Sequence, residues 1–221
     1  IYISTSNIAD FKMRIFNADG SEAKMCGNGI RCVGKYVYDK GYTDKKFLSI
    51  ETLSGVKYLT LQIVGGKVKN ITVDMGQAEA EKAMNLTVDG ETVSLFPVSV
   101  GNPHAVIFVD DIEKAPLTKL GPIIEHHEAF PDGVNVEFVQ VLGADKLRMR
   151  VWERGSGVTM ACGTGACASV MAAIAAKHCH YDETVSVVLD GGILKIKIAA
   201  DNTVQMTGPA ETIYEGETEI C

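Results

Sequence analysis

The chain has 221 residues, 46% of them apolar and 22% charged, enough to bury a core in one large domain or two small ones. A formal charge of −7 excludes nucleic acid and anionic membrane surfaces as main partners, because both would repel it. No apolar run is long enough to span a bilayer, and no signal peptide is visible.

In chain order, residues 11–16 (FKMRIF) alternate apolar and polar side chains and predict a strand. A polar, Gly-containing turn then leads to MCGNGIRC at 25–32, where a helix is expected over 27–39, closed by Gly41 just past its end. Short alternating segments separated by Gly, Asp and Asn turns predict strands over 47–53, 56–64, 68–75, 92–100 and 104–109. Residues 117–126 read as a short helix despite Pro122 inside it. Strands at 134–141 and 147–152 precede a second polar turn and the stretch ACGTGACA at 161–168. An Ala-rich helix over 163–177, more buried than the first, and strands at 184–189, 193–199 and 203–207 complete the chain. The expectation is an α+β fold, mostly β, with one prominent helix in each half.

The two halves repeat. Residues 11–29 (FKMRIFNADGSEAKMCGNG) align with 147–165 (LRMRVWERGSGVTMACGTG) without a gap at an offset of 136. SGVKYLTL at 54–61 resembles DGGILKIKI at 190–198 after one indel, and VDMGQAE at 73–79 resembles VQMTGPAE at 204–211. Three matches in one order imply two similar, pseudo-symmetric domains: 1–80, with 208–221 returning to it, and 81–207. Some fifty residues of strand-like sequence precede 147 in the second half, whereas ten precede Phe11. The symmetry therefore leads one to expect roughly 40 further residues upstream of Ile1.

The chemistry lies in the repeat. Cys26 and Cys162 each stand at the start of a helix, where unpaired N–H groups and the helix dipole are expected to stabilise a thiolate and lower its pKa. Gly27–Asn28 and Gly163–Thr164 let the backbone approach a ligand closely and could cradle a carboxylate. One such site suggests a nucleophile, but two on related halves suggest proton transfer. Inverting a stereocentre requires a base on one face of a carbon and an acid on the other, and two thiols can exchange those roles. The expected active site is a cleft between the halves. Facing thiols there could also form a disulfide on oxidation.

The other cysteines are Cys32, Cys167, Cys179 and Cys221. Six cysteines without a CxxC pair are too few for a disulfide scaffold at this length and read as reduced thiols in a cytoplasm. Cys32 and Cys167 are expected to pack in the core. His178-Cys179-His180 reads as a polar helix end rather than a metal site, and no cysteine pair has zinc spacing.

FNADGSEAKMCGNGIRC, GNPHAVIF, FPDGVNVEF and WERGSGVTMACGTGA together resemble the diaminopimelate epimerases, in order and spacing, across essentially the whole chain. The resemblance implies two similar domains, each a sheet or barrel wrapped around a central helix. It also implies an epimerase needing no cofactor and no metal, interconverting LL- and meso-diaminopimelate for lysine and peptidoglycan synthesis. The partner would be a small amino-acid substrate, and a homodimer is compatible with it. By the same resemblance Cys26 and Cys162 are the acid/base pair, and Asn17, Gly27, Asn28, Asn102, Asn135, Glu153, Arg154, Gly163 and Thr164 contact substrate. His104 and Glu153 assist the cysteines electrostatically. The family has Glu where this chain has Val158, a lost carboxylate expected to change the polarity near Cys162. Two alternatives stay open: a related cofactor-independent racemase, and a substrate-binding homologue with impaired catalysis.

Overall fold

The computed structural model describes residues 1–17 and 20–217; Ala18 and Asp19 of the first polar turn, and Cys221, lie outside the described residues. The fold is α+β, and internal contacts divide it into two units, Ile1–Thr72 with the segment from Gly208, and Val73–Thr207.

The first unit contains β1 (Tyr2–Ser4), β2 (Phe11–Phe16), β3 (Glu22–Ala23), α1 (Gly27–Asp39), β4 (Phe47–Thr52), β5 (Gly55–Val64) and the first part of β6 (Lys67–Gln77). Strand β2 pairs antiparallel with β1 and β3 and parallel with β4, and β4 pairs antiparallel with β5. A parallel pair needs a crossover, and α1 supplies it between β2 and β4. Its buried Ile30, Val33, Gly34 and Val37 recur at helical spacing and lie against β5 and β2. The approach is close: a Cβ on Gly34 would sit 2.8 Å from Leu59 Cδ2. Cys32 falls on the opposite face and is exposed, so it is not the core residue expected from sequence.

The second unit continues with β7 (Glu79–Ala80), β8 (Met84–Val88), β9 (Glu91–Ser99), β10 (Pro103–Phe108), a 3-10 turn at Ile112–Lys114, α2 (Leu117–Glu125), β11 (Asn135–Gly143), β12 (Lys146–Glu153) and β13 (Gly157–Thr159). Helix α3 (Gly163–Ala175), β14 (Thr184–Leu189), β15 (Gly192–Ile198) and β16 (Thr203–Gly208) follow. The pairing of the first unit recurs. Strand β12 is antiparallel to β11 and β13 and parallel to β14, with α3 as the crossover, and β14 is antiparallel to β15. Strands β7, β9, β10, β11, β12, β14 and β15 all touch α3, which explains why an Ala-rich helix with small side chains is buried along nearly its whole length. A further parallel pair, β10 with β11, is bridged by α2.

The helix starts at 27 and 163 and the end of α1 at 39 match the sequence reading; α3 ends two residues early, at Ala175, where Lys177 takes a left-handed φ of 64°. The short strands β1, β3, β7, β8 and β13 were not expected. Strand β8 had a readable signal: Asp89-Gly90, both at positive φ, forms the tight turn joining it to β9. Among the described residues no helix is long and apolar enough to cross a membrane.

Helix α2 lies so close to β12 that a Cβ on Gly121 would come within 2.6–2.9 Å of Trp152 Cγ, Cβ and Cδ2. Gly→Ala in a helix normally stabilises by about 0.5–1 kcal/mol. Here the indole cannot retreat, because its Nε1–H is held by Glu125 Oε2 at 2.6 Å. We expect Gly121→Ala to lose about 1–3 kcal/mol net in urea denaturation, with a changed emission from Trp152, the sole tryptophan.

Candidate active site

Both central helices begin on a cysteine. Cys26 and Cys162 have extended backbones (φ −139°, ψ 116° and φ −120°, ψ 115°) and act as N-caps. The Gly29 N–H donates to Cys26 Sγ and the Gly165 N–H to Cys162 Sγ, each at 3.3 Å. Each sulfur thus takes the part usually played by a Ser or Asp oxygen, satisfying one orphan N–H of the first turn.

In the first unit the capped turn is steadied by Arg31, 7% exposed and not singled out by sequence. Its Nη1 donates to Gly27 O (3.1 Å), its Nη2 to Asn28 Oδ1 (3.0 Å) and its Nε to Pro209 O (3.2 Å). Arg31 therefore orients Asn28 beside Cys26. Asn17 is exposed after β2 and shapes its own turn, donating from N to Ser21 O and from Nδ2 to Ser21 Oγ.

The second unit brings together Asn102, His104, Asn135, Glu153, Arg154, Cys162, Gly163 and Thr164. Cys162 Sγ lies 3.6 Å from Thr164 Oγ1, which accepts from Asn102 Nδ2 at 3.3 Å. Asn102 Oδ1 lies 3.0 Å from His104 Nε2, and His104 Nδ1 lies 2.7 Å from Glu137 Oε1. Asn135 is a bridge: its Nδ2 donates to Pro103 O and its Oδ1 accepts from Arg154 N, tying the GNPH turn to the WERG turn. Glu153 accepts from Thr159 Oγ1, while Arg154 Nη1 donates to Asp132 O at 2.8 Å.

The environment of Cys162 corrects one expectation. Burial pushes its thiol well above the ordinary value, and the carboxyls of Glu153 and Glu137 push it further. The Thr164 hydroxyl and the Gly165 N–H pull the other way but do not win. The N-cap alone therefore does not produce a thiolate there, because at 6% exposure desolvation outweighs it. Val158 is 42% exposed on β13, opposite Trp152 of β12. The His178-Cys179-His180 run is split: Cys179 is buried, its thiol pushed up to about 11 by burial, while both histidines are exposed and His178 packs on Phe108.

Two glutamates escaped the sequence reading. Glu137 lies two residues after Asn135 in FPDGVNVEF and is fully buried. Glu125, 5% exposed at the end of α2, accepts from Trp152 Nε1 at 2.6 Å and from Gly155 N at 2.8 Å, clamping the turn that carries Glu153 and Arg154. Burial alone would raise the Glu125 carboxyl, but these two donors, with His126 and Arg154 nearby, hold it below the usual carboxylate range. A folded-state pKa below the unfolded one adds stability above the unfolded value, and that stability is lost as pH falls through the folded value. We expect Glu125→Ala to cost about 2–3 kcal/mol in urea unfolding at pH 7, and the deficit to shrink on acidification below about pH 4.

The diaminopimelate epimerase family model matches residues 1–81 and 96–213. A diaminopimelate epimerase of Bacteroides thetaiotaomicron is 50% identical over 220 residues, covering 99% of this chain and 81% of that protein. One from Methanococcus maripaludis is 47% identical over 233 residues, covering 100% and 84%. Among solved structures, a probable proline racemase from Agrobacterium radiobacter superposes with TM-score 0.78 at 15% identity, covering 99% of this chain and 75% of that one. A phenazine biosynthesis protein of Bacillus anthracis gives 0.76 at 16% identity, covering 99% and 83%. At those identities the likeness is one of fold. The duplicated capping cysteines, the motif set and half-identity across the full chain lead to one conclusion: this chain belongs to the diaminopimelate epimerase family.

Proposed function

We propose that this protein interconverts LL- and meso-diaminopimelate without a cofactor, by moving one proton at the α-carbon between Cys26 and Cys162. The observation that carries the reading is the duplicated cap, an identical sulfur-to-amide contact of 3.3 Å at the start of both central helices. A single catalytic base returns a proton to the face it came from, whereas two equivalent sulfurs serve opposite faces. Burial and the carboxylate of Glu153 favour the protonated form of Cys162, which suits it to be the proton donor in the resting enzyme.

In the forward step the Cys26 thiolate takes the α-proton, becoming a thiol, while the C–H electron pair stays on the α-carbon. The Cys162 thiol then delivers its proton to the opposite face and is left as a thiolate; the reverse reaction exchanges the roles. Developing charge on the substrate carboxylate is met by amide donors of the helix starts, Gly27–Asn28 and Gly163–Thr164. Glu153 suits the substrate ammonium and Arg154 a carboxylate. Both sulfurs must be reduced for this chemistry, so the reading carries a reducing, cytoplasmic location with it.

Incubation with diaminopimelate in deuterated water under reducing conditions should show deuterium entering the α-position as LL- and meso-forms interconvert. Cys26→Ala or Cys162→Ala should abolish interconversion, and either Cys→Ser should reduce it by roughly 10²–10⁴-fold, because a hydroxyl is a far weaker acid. Absence of uptake by the folded, reduced wild type would reject the reading.

A further inference from the structure

The reaction as described leaves Glu137 unused. Its carboxyl is 0% exposed, with Oε1 2.7 Å from His104 Nδ1 and Oε2 without a hydrogen-bond partner among the described residues. Room for it is made by Gly165: a Cβ there would lie 2.7 Å from Glu137 Oε1 and 3.2 Å from Cys162 Sγ. A carboxyl so placed, one bond from the histidine and against the first turn of the catalytic helix, calls for an account of where its proton is.

Hydrogen-bond direction supplies one, working back from the sulfur. Asn102 donates from Nδ2 to Thr164 Oγ1, so its Oδ1 faces His104 Nε2. An amide oxygen only accepts, hence His104 carries a proton on Nε2. Two states of the other side of the ring then compete. In one, Nδ1 is also protonated and Glu137 is a carboxylate, giving a buried ion pair. In the other, Glu137 keeps its proton and donates it from Oε1 to a bare Nδ1.

A buried ion pair repays desolvation only when its remaining lone pairs are also satisfied. Here Oε2 has no hydrogen-bond partner among the described residues, and both side chains are fully removed from water. Glu153 adds a second negative charge that disfavours ionisation of Glu137. The neutral pair leaves Oε2 as a plain carbonyl oxygen, a far smaller cost. The charged and titratable groups around Glu137 are thus His104 from β10, Glu153 from β12 and Cys162 at the head of α3.

We infer that Glu137 is a positioning residue, held as a neutral acid, that fixes His104 as its Nε2–H tautomer and so sets the direction of a hydrogen-bond chain from His104 through Asn102 and Thr164 to Cys162. With Thr164 Oγ1 accepting from Asn102, the hydroxyl proton of Thr164 is free to turn to Cys162 Sγ, 3.6 Å away, whenever that sulfur is the thiolate. The chain therefore offsets part of the cost of ionising a buried thiol during the half of the cycle in which Cys162 is the base. The inference rests on the reading of Cys162 as one of the two proton carriers.

Two measurements test it. Imidazole nitrogen shifts in ¹⁵N-His-labelled wild type under assay conditions should show His104 protonated on Nε2 alone; an imidazolium, or an Nδ1–H tautomer, overturns the inference. In kinetics, Glu137→Leu should lower kcat/KM about 10–100-fold in both directions and move the Cys162 limb of its pH profile to higher pH. Glu137→Gln, whose carboxamide still donates to Nδ1, should restore most of that loss and return the limb towards its wild-type position. A Gln variant as impaired as the Leu variant would mean that a carboxylate charge is required, and would overturn the inference even if Glu137→Leu fails to fold. The two readings fail separately: wild type without α-deuterium uptake removes the proton-transfer role, whereas normal uptake with a charged His104 removes only the role of Glu137.

Discussion

The contact on which both sites depend is the hydrogen bond from the third residue of a helix to the sulfur of the cysteine before it. A cysteine is an unusual N-cap, because sulfur accepts more weakly than oxygen. What makes it work here is that the helices do not rely on their caps for stability. Helix α3 is buried on almost every side and α1 along its Ile30, Val33, Gly34 and Val37 face, so packing fixes where each helix starts. The position of each sulfur then follows from the position of its helix. Glycine at 165 completes the second arrangement, since a Cβ there would lie 3.2 Å from the sulfur and 2.7 Å from Glu137 Oε1, while one at 29 would meet Ile1 Cδ1 at 2.9 Å.

Identical caps do not make identical thiols. Cys26 is half-buried in a turn whose Gly27 carbonyl accepts from Arg31, whereas Cys162 is buried beside carboxyls on β11 and β12. The duplication copied the backbone device, and side chains from neighbouring strands then separated the two sulfurs. A pair of proton carriers needs such a difference: one sulfur must be charged and the other protonated when substrate arrives, and two equal thiols would spend much of their time in the wrong combination.

How much of this could be read from the residues depended on how local the signal was. The helix starts at 27 and 163 were legible because Cys-Gly-x-Gly combines a cap with glycines at fixed spacing, and the repeat presented it twice. The strand pairs were legible from alternation, and the Asp89-Gly90 hairpin should have been. What sequence could not give is anything fixed by neighbours far along the chain. Glu125 closes on Trp152 and Gly155 from about thirty residues away, and Glu137 meets His104 across two strands. The same limit explains the error over Cys162. Its helix start is a local feature, but its burial and the nearby carboxyls are tertiary, and the tertiary terms are larger.

This gives a reason for the order in which polar groups surround the second sulfur. Thr164 touches it, Asn102 touches Thr164, His104 touches Asn102, and the ionisable Glu137 is last. A carboxylate placed directly against the thiol would have raised its proton affinity without any compensating donor. Glu137 is last in that chain of contacts but not far from the sulfur, since both border the space a Cβ on Gly165 would take, so only as a neutral acid does it act on the sulfur through hydrogen-bond direction rather than charge. The condition is that the last member stay neutral, and full burial with no partner for Oε2 among the described residues favours that form.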